Sequence, residues 1–176
     1  MKILIAYATK TGTTEECAHR LAACLSALSP TVARLGKEPL HPEEYDMVLL
    51  GSPIRFGKLL PEMRRFLREQ EHALCDRRIG VFLCCAFSQD FDRYYETLFP
   101  ESVRARAFTH LNFGSSLRRE GLSLFDRLMV RAMRSYLIES DIEDGEYTPT
   151  LPSLLPENIE VMAAHVREEI QRDRRK

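Results

Sequence analysis

The sequence predicts an α/β fold: a parallel five-stranded sheet in the order 2-1-3-4-5, with helices on both faces. Three observations support this. Apolar runs alternate with amphipathic helical patterns along the chain. The runs are apolar at successive positions, as in strands covered on both sides. And the first run, Ile3-Leu4-Ile5-Ala6-Tyr7-Ala8, ends in a hydroxyl-rich turn that opens a helix.

The elements follow in order. Lys2 to Ala8 is the first strand. Thr13 to about Leu28 is a helix, with Ala18, Leu21, Ala22 and Leu25 at helical spacing; Ser29-Pro30 stops it. Thr31 to Leu35 is a short second strand, and Gly36 to Glu44, with two prolines, a loop. Tyr45 to Gly51 is the third strand, followed by a loop from Ser52 to Lys58. Pro61 suits the first turn of a helix whose stripe is Met63, Phe66 and Leu67. Arg78 to Cys85 is the fourth strand, and Asp90 to Leu98 an aromatic-rich helix stopped by Pro100. Ala105 to Phe113 is the fifth strand, its apolar pattern broken by His110 and Asn112. Leu122 to Ile138 is a helical pattern beyond the minimal five units, with Ser123-x-x-Asp126 as its capping box. Glu139 to Pro156 is an acidic, then proline-rich, loop. Glu157 to Arg172 closes the fold, with Ile159, Met162, Ala163, Val166 and Ile170 inward and a frayed basic tail at 172–176.

Residues 1–176 are expected to form one domain; 44% apolar and 29% charged residues fit an ordinary globular core. A net charge of −1 gives no general reason to bind nucleic acid. The N-terminal apolar run is too short for a signal peptide, and no apolar stretch approaches a membrane span. A cytoplasmic location is expected. Five cysteines without C-x-x-C spacing suggest neither a disulfide framework nor a metal site. Cys17 and Cys24 read as core.

The order 2-1-3-4-5 places a ligand crevice at the carboxyl ends of strands 1 and 3, where the topology switches. Two loops meet there. The first, Thr9-Lys10-Thr11-Gly12-Thr13-Thr14, combines hydroxyls with the unpaired N–H groups and dipole of a helix start, a cradle for a phosphate. The alternative is a helix cap by Thr13 or Thr14 without a ligand. The second loop is Ser52-Pro53-Ile54-Arg55-Phe56-Gly57, and a third, Cys85-Ala86-Phe87-Ser88, follows strand 4. Neither G-x-x-x-x-G-K-[ST] nor G-x-G-x-x-G is present. The receiver-domain carboxylates are missing: Thr9-Lys10 and Gly51-Ser52 stand in their places. No cysteine is followed six positions later by Arg, as a cysteine phosphatase requires.

The T-x-T-G-x-T run between a first strand and its helix resembles the phosphate loop of the flavodoxin family. That resemblance implies a flavodoxin-like three-layer sandwich with the extra helix inserted after strand 5, and FMN as cofactor. It implies that Thr9 to Thr14 hold the phosphate while Ser52 to Gly57 and Cys85 to Ser88 flank the isoalloxazine ring. Gly57 would free the backbone to meet the ring edge and Phe56 could stack near it; a solvated Arg55 and a core Phe56 are the plainer alternatives. For Cys84-Cys85, a redox role competes with small residues at a strand end.

Within the family, Ile54-Arg55-Phe56-Gly57 and Phe125-Asp126-Arg127-Leu128-Met129 resemble the menaquinone-dependent protoporphyrinogen oxidase group. Pro53 and the third loop depart from its pattern. This resemblance implies a quinone acceptor and a porphyrin substrate, with no side-chain general base assigned. Arg127, Arg131 and Arg134 share a helix face that could meet porphyrin propionates or the inner face of a membrane, or simply be solvated. A flavodoxin-type electron carrier and a flavin-free interaction domain remain the alternatives.

Overall fold

The computed structural model describes residues 1–85, 88–115 and 153–175. Its sheet has the strand order β2-β1-β3-β5-β6, all parallel, with β4 antiparallel beside β3. The strands are β1 (Ile3–Tyr7), β2 (Thr31–Arg34), β3 (Met47–Arg55), β4 (Lys58–Leu59), β5 (Arg78–Cys84) and β6 (Ala107–Asn112). Without the two-residue β4, the parallel strands follow the expected 2-1-3-4-5.

Period-two alternation sorts the side chains into two cores. Leu4, Ala6, Val48, Leu50, Ile79, Val81 and Leu83 line one face. They pack against α2 (Pro61–Glu69), α3 (Glu71–Cys75), α4 (Phe91–Leu98) and α5 (Glu101–Arg104). Ile3, Ile5, Tyr7, Met47, Leu49, Phe82 and Cys84 line the other, beneath α1 (Thr13–Cys24) and α6 (Pro156–Arg174). Both faces of the central strands are therefore dry, as their continuous apolar runs require.

Three expectations are corrected. The third strand runs on to Arg55, so Ser52 to Arg55 is strand rather than loop. It then turns back through Phe56-Gly57, pairing Arg55 with Lys58 and Ile54 with Leu59. Pro53 does not end the strand, because a proline is tolerated where its missing N–H faces away from the ladder. The fifth strand, by contrast, is present as expected, from Ala107 to Asn112 and continuous through His110. Its register shifts between Ile79 and Gly80, so Ala107 and Thr109 are partners of adjacent residues and Phe108 is extra. That bulge scrambles the alternation seen in sequence. Cys24 is only half-buried, against Cys17 in the core. The first helix also stops at Cys24, with a single 3₁₀ turn, Ser26–Leu28, before Ser29.

The Leu122–Ile138 helix, its capping box, the Phe125–Met129 run and Arg127, Arg131 and Arg134 lie outside the described residues, as do Ala86 and Phe87.

Candidate functional site

The first loop sits where β1 and β3 part. The Ala8 N–H donates to the Gly51 carbonyl at 2.9 Å, so the strand ends remain paired up to the two loops. Thr9 then turns inward. Its Oγ1 accepts the Gly12 N–H at 3.0 Å, and its carbonyl accepts from Arg34 Nη2 at 3.3 Å. Arg34 ends β2, so three neighbouring strand ends fix one loop. A hydroxyl that accepts from the backbone still has its own proton to donate.

Gly12 is the N-cap of α1, at φ 86°. This left-handed conformation favours glycine. Glycine has no side chain with which to cap the helix; the Gly12 N–H is held by Thr9 instead. An added Cβ at Gly12 would meet nothing within 4 Å, so the loop crest faces open space. Thr13 and Thr14 are buried, Thr11 is half-buried and Lys10 is exposed. The Thr14 Oγ1 is buried, with no hydrogen bond of ordinary geometry. It lies beside the Cys84 thiol, whose anion it would favour. The Gly12 crest facing open space at the N-terminus of α1, with threonines on either side of it, fits the monophosphate of FMN.

Below the loop, the Tyr7 hydroxyl donates to Glu15 Oε1 at 2.9 Å. Burial, with help from Glu15, pushes the Tyr7 pKa up to about 12. This bond joins the last residue of β1 to the first turn of α1 and braces the loop from beneath.

The second loop is a hairpin. Phe56 (φ 51°) and Gly57 (φ 71°) both lie in the left-handed region between the paired Arg55 and Lys58. Two such residues in a two-residue connection make a type I′ turn, which normally favours Asn-Gly. Phenylalanine in that position is strained. It is also 53% exposed, so the core alternative for Phe56 does not hold. The Arg55 guanidinium stands 5.7 Å from its ring centroid, so Arg55 is more than a solvated charge. Ser52 is fully buried and its hydroxyl donates to the Pro53 carbonyl at 3.1 Å. Pro53, Ile54 and Arg55 are half-buried.

At the third loop, Cys85 is buried and its N–H donates to Asn112 Oδ1 at 3.2 Å. The same oxygen accepts the Gly114 N–H at 2.9 Å. Ser88 begins a 3₁₀ turn, Ser88–Asp90. Cys84 ends β5 with its side chain in the core beneath α1, and Cys85 lies just past the strand. Cys84 donates to Cys17, with the sulfurs 3.8 Å apart. That hydrogen bond, reinforced by burial, pushes the Cys84 thiol well up. Among the described residues no cluster of His, Cys, Asp and Glu could hold a metal ion.

Thr9 to Thr14, Ser52 to Gly57 and Cys85 thus gather at the carboxyl edge of β1, β3 and β5. Sequence reasoning missed Arg34, Asn112, Tyr7 and Glu15, which hold the loops in place. It also missed Tyr94 of α4, whose Cε1 would lie 3.8 Å from a Cβ on Gly57. Only Arg34, at the end of an adjacent strand, left a signal that topology could have exposed.

The profile of the family described as Flavodoxin domain matches residues 4–141. Among solved structures, a Fusobacterium nucleatum flavodoxin bound to flavin mononucleotide superimposes with a TM-score of 0.54. It shares 15% identity, over 96% of this chain and 98% of that one. A flavoprotein from Lactobacillus acidophilus NCFM, in complex with FMN, gives a TM-score of 0.52 at 14% identity. That match covers 63% of this chain and 92% of the other. At such identities the likeness is one of fold. The search of curated proteins finds no match.

Proposed function

The chain belongs to the Flavodoxin domain family, and from that premise we propose that it is an FMN-dependent oxidoreductase. The observation that carries the proposal is a threonine-rich loop at a helix N-terminus whose Gly12 crest faces open space. FMN supplies one- and two-electron transfer when bound; the protein supplies binding and orientation.

The chain's own residues divide that work. The Thr9 and Thr14 hydroxyls and the N–H groups opening α1 would hold the phosphate, aided by the helix dipole. Lys10 would add positive charge at the rim. Arg34, through the Thr9 carbonyl, keeps the loop in register. The hairpin from Ser52 to Gly57 and the strand end at Cys85, with Ala86 to Ser88 beyond it, would flank the isoalloxazine ring. Asn112 holds the Cys85 backbone there.

The narrower reading is oxidation of protoporphyrinogen IX with a quinone as acceptor. Its support is the Ile54-Arg55-Phe56-Gly57 run, which presents Arg55 and an exposed Phe56 beside the site. A porphyrin substrate and a peripheral contact of Arg127, Arg131 and Arg134 with a membrane belong to this reading. Among the described residues, no helix is long and apolar enough to cross a membrane. The second reading, an electron carrier without its own substrate, rests on family membership.

The test is direct. The protein, purified and supplied with FMN, is expected to show a bound-flavin absorbance spectrum. It is then mixed with protoporphyrinogen IX and menaquinone. Turnover supports the narrower reading; bound flavin without turnover supports the carrier. A protein that stays colourless after incubation with FMN sinks both.

A further inference from the structure

Two thiols meet in the core beneath α1. Cys17 lies in the second turn of α1, and Cys84 ends β5. Their sulfurs are 3.8 Å apart, although 67 positions separate the residues. Both side chains are buried, at 0% and 4% exposure, in the apolar cluster that includes Tyr7, Leu21, Phe82 and Phe113. The hydrogen bond between them lowers the Cys17 thiol and raises the Cys84 thiol, so the two sulfurs act on each other directly. Neither belongs to the loops assigned to the cofactor.

We propose that Cys17 and Cys84 are a disulfide-forming pair, closed by a small disulfide of the glutathione class as the chain folds, and that the bond clasps α1 to the end of β5. It forms with or without a flavin.

A disulfide holds its sulfurs about 2.0 Å apart, so two sulfurs already in contact have less than about 2 Å to close. In an apolar cluster the bond also replaces two weak S–H donors with a group that has no donor to satisfy. A link across 67 positions removes more freedom from the unfolded chain than a short loop would. Burial shields both sulfurs in the folded protein, so the exchange takes place on the open chain. One cysteine thiolate attacks oxidised glutathione; the glutathione S–S bond breaks, a mixed disulfide forms and one glutathione thiolate leaves. Folding then brings the sulfurs together. The second cysteine thiolate attacks the sulfur of the first, and the second glutathione thiolate leaves. Two cysteine thiols are oxidised to one disulfide, one glutathione disulfide is reduced to two thiols, and the two cysteine protons end on those thiols. The same burial then keeps reductants from the finished bond.

The experiment uses the full chain without any substitution. Reduced and unfolded in guanidinium, it is refolded by dilution into a mixture of oxidised and reduced glutathione. Free thiols are then blocked with N-ethylmaleimide in denaturant, and the peptides are mapped by mass spectrometry without reduction. The expected disulfide joins Cys17 to Cys84, with Cys24, Cys75 and Cys85 outside it. The oxidised protein is expected to melt at least about 5 °C above the same chain refolded with reductant. Dithiothreitol is expected to open the bond at least about tenfold more slowly in the folded protein than in guanidinium. The proposal is overturned if the refolded chain carries no internal disulfide or joins a different pair of cysteines. It is overturned equally if the linked protein melts no higher than the reduced one, or if its bond opens as fast folded as unfolded.

Discussion

Asn112 Oδ1 lies 3.2 Å from the Cys85 backbone nitrogen and accepts its hydrogen. Because the same atom also accepts the Gly114 N–H, one amide oxygen ties the end of β5 to the turn after β6. Asn112 is 8% exposed, so water does not easily replace it. Asn112→Ala leaves two buried donors without an acceptor. Chemical denaturation is expected to show a loss of about 2–4 kcal/mol. Hydrogen exchange at the Cys85 amide should accelerate by more than global destabilisation accounts for.

Thr14 separates stability from ligand binding. Its hydroxyl is buried beside the Cys84 thiol, with no hydrogen bond of ordinary geometry. Thr14→Val keeps the shape and removes the unsatisfied group, so the melting temperature of the flavin-free protein should stay level or rise. FMN affinity should fall by about tenfold or more, as a charge-assisted hydrogen bond is lost. A calorimetric melt and a fluorescence titration on one preparation check both. Lower stability with unchanged FMN affinity would place the hydroxyl in the core rather than the cradle.

Phe56 gives the opposite kind of prediction. Its left-handed φ of 51° costs about 1 kcal/mol relative to a residue suited to the turn. Phe56→Asn installs the preferred type I′ pair with Gly57. The flavin-free protein should gain up to about 1 kcal/mol in denaturant unfolding. Retention of the isoalloxazine ring, followed by its visible absorbance on dilution, should weaken. A variant that is both less stable and equally retentive would show that the aromatic ring serves packing alone.

Burial of Tyr7, together with its bond to Glu15, makes stability depend on alkaline pH. The folded pKa of Tyr7, about 12, lies above the ordinary value of 10.0. Its contribution is therefore fully present below pH 10 and is lost as pH rises towards 12. The difference in stability between the native chain and Tyr7→Phe should be constant up to about pH 10 and then shrink. Melting temperatures from pH 8 to 12 measure it; a difference that grows with pH would reverse the sign of the coupling.

How much of this was legible beforehand varies by element. The parallel order was, because each central strand is apolar at successive positions. So was the first loop, because Thr9 to Thr14 fall between an apolar run and a helical pattern. The extension of β3 was not: Pro53 reads as a breaker in sequence, and a two-residue partner such as Lys58-Leu59 is too short for any periodicity. Phe56 in a left-handed turn runs against its own propensity, as residues at functional sites often do. Asn112 looked like an interruption of a strand, since its value lies in backbone N–H groups that only the folded chain brings near. The contact between Cys17 and Cys84 spans 67 positions and leaves no local trace.

The central claim is that the first loop reads a flavin's phosphate. Titrating the flavin-free protein with FMN and with riboflavin, which lacks the phosphate, tests it most directly. The predicted result is FMN binding at least about tenfold tighter than riboflavin binding. Equal affinities, or no binding of either flavin, would contradict it.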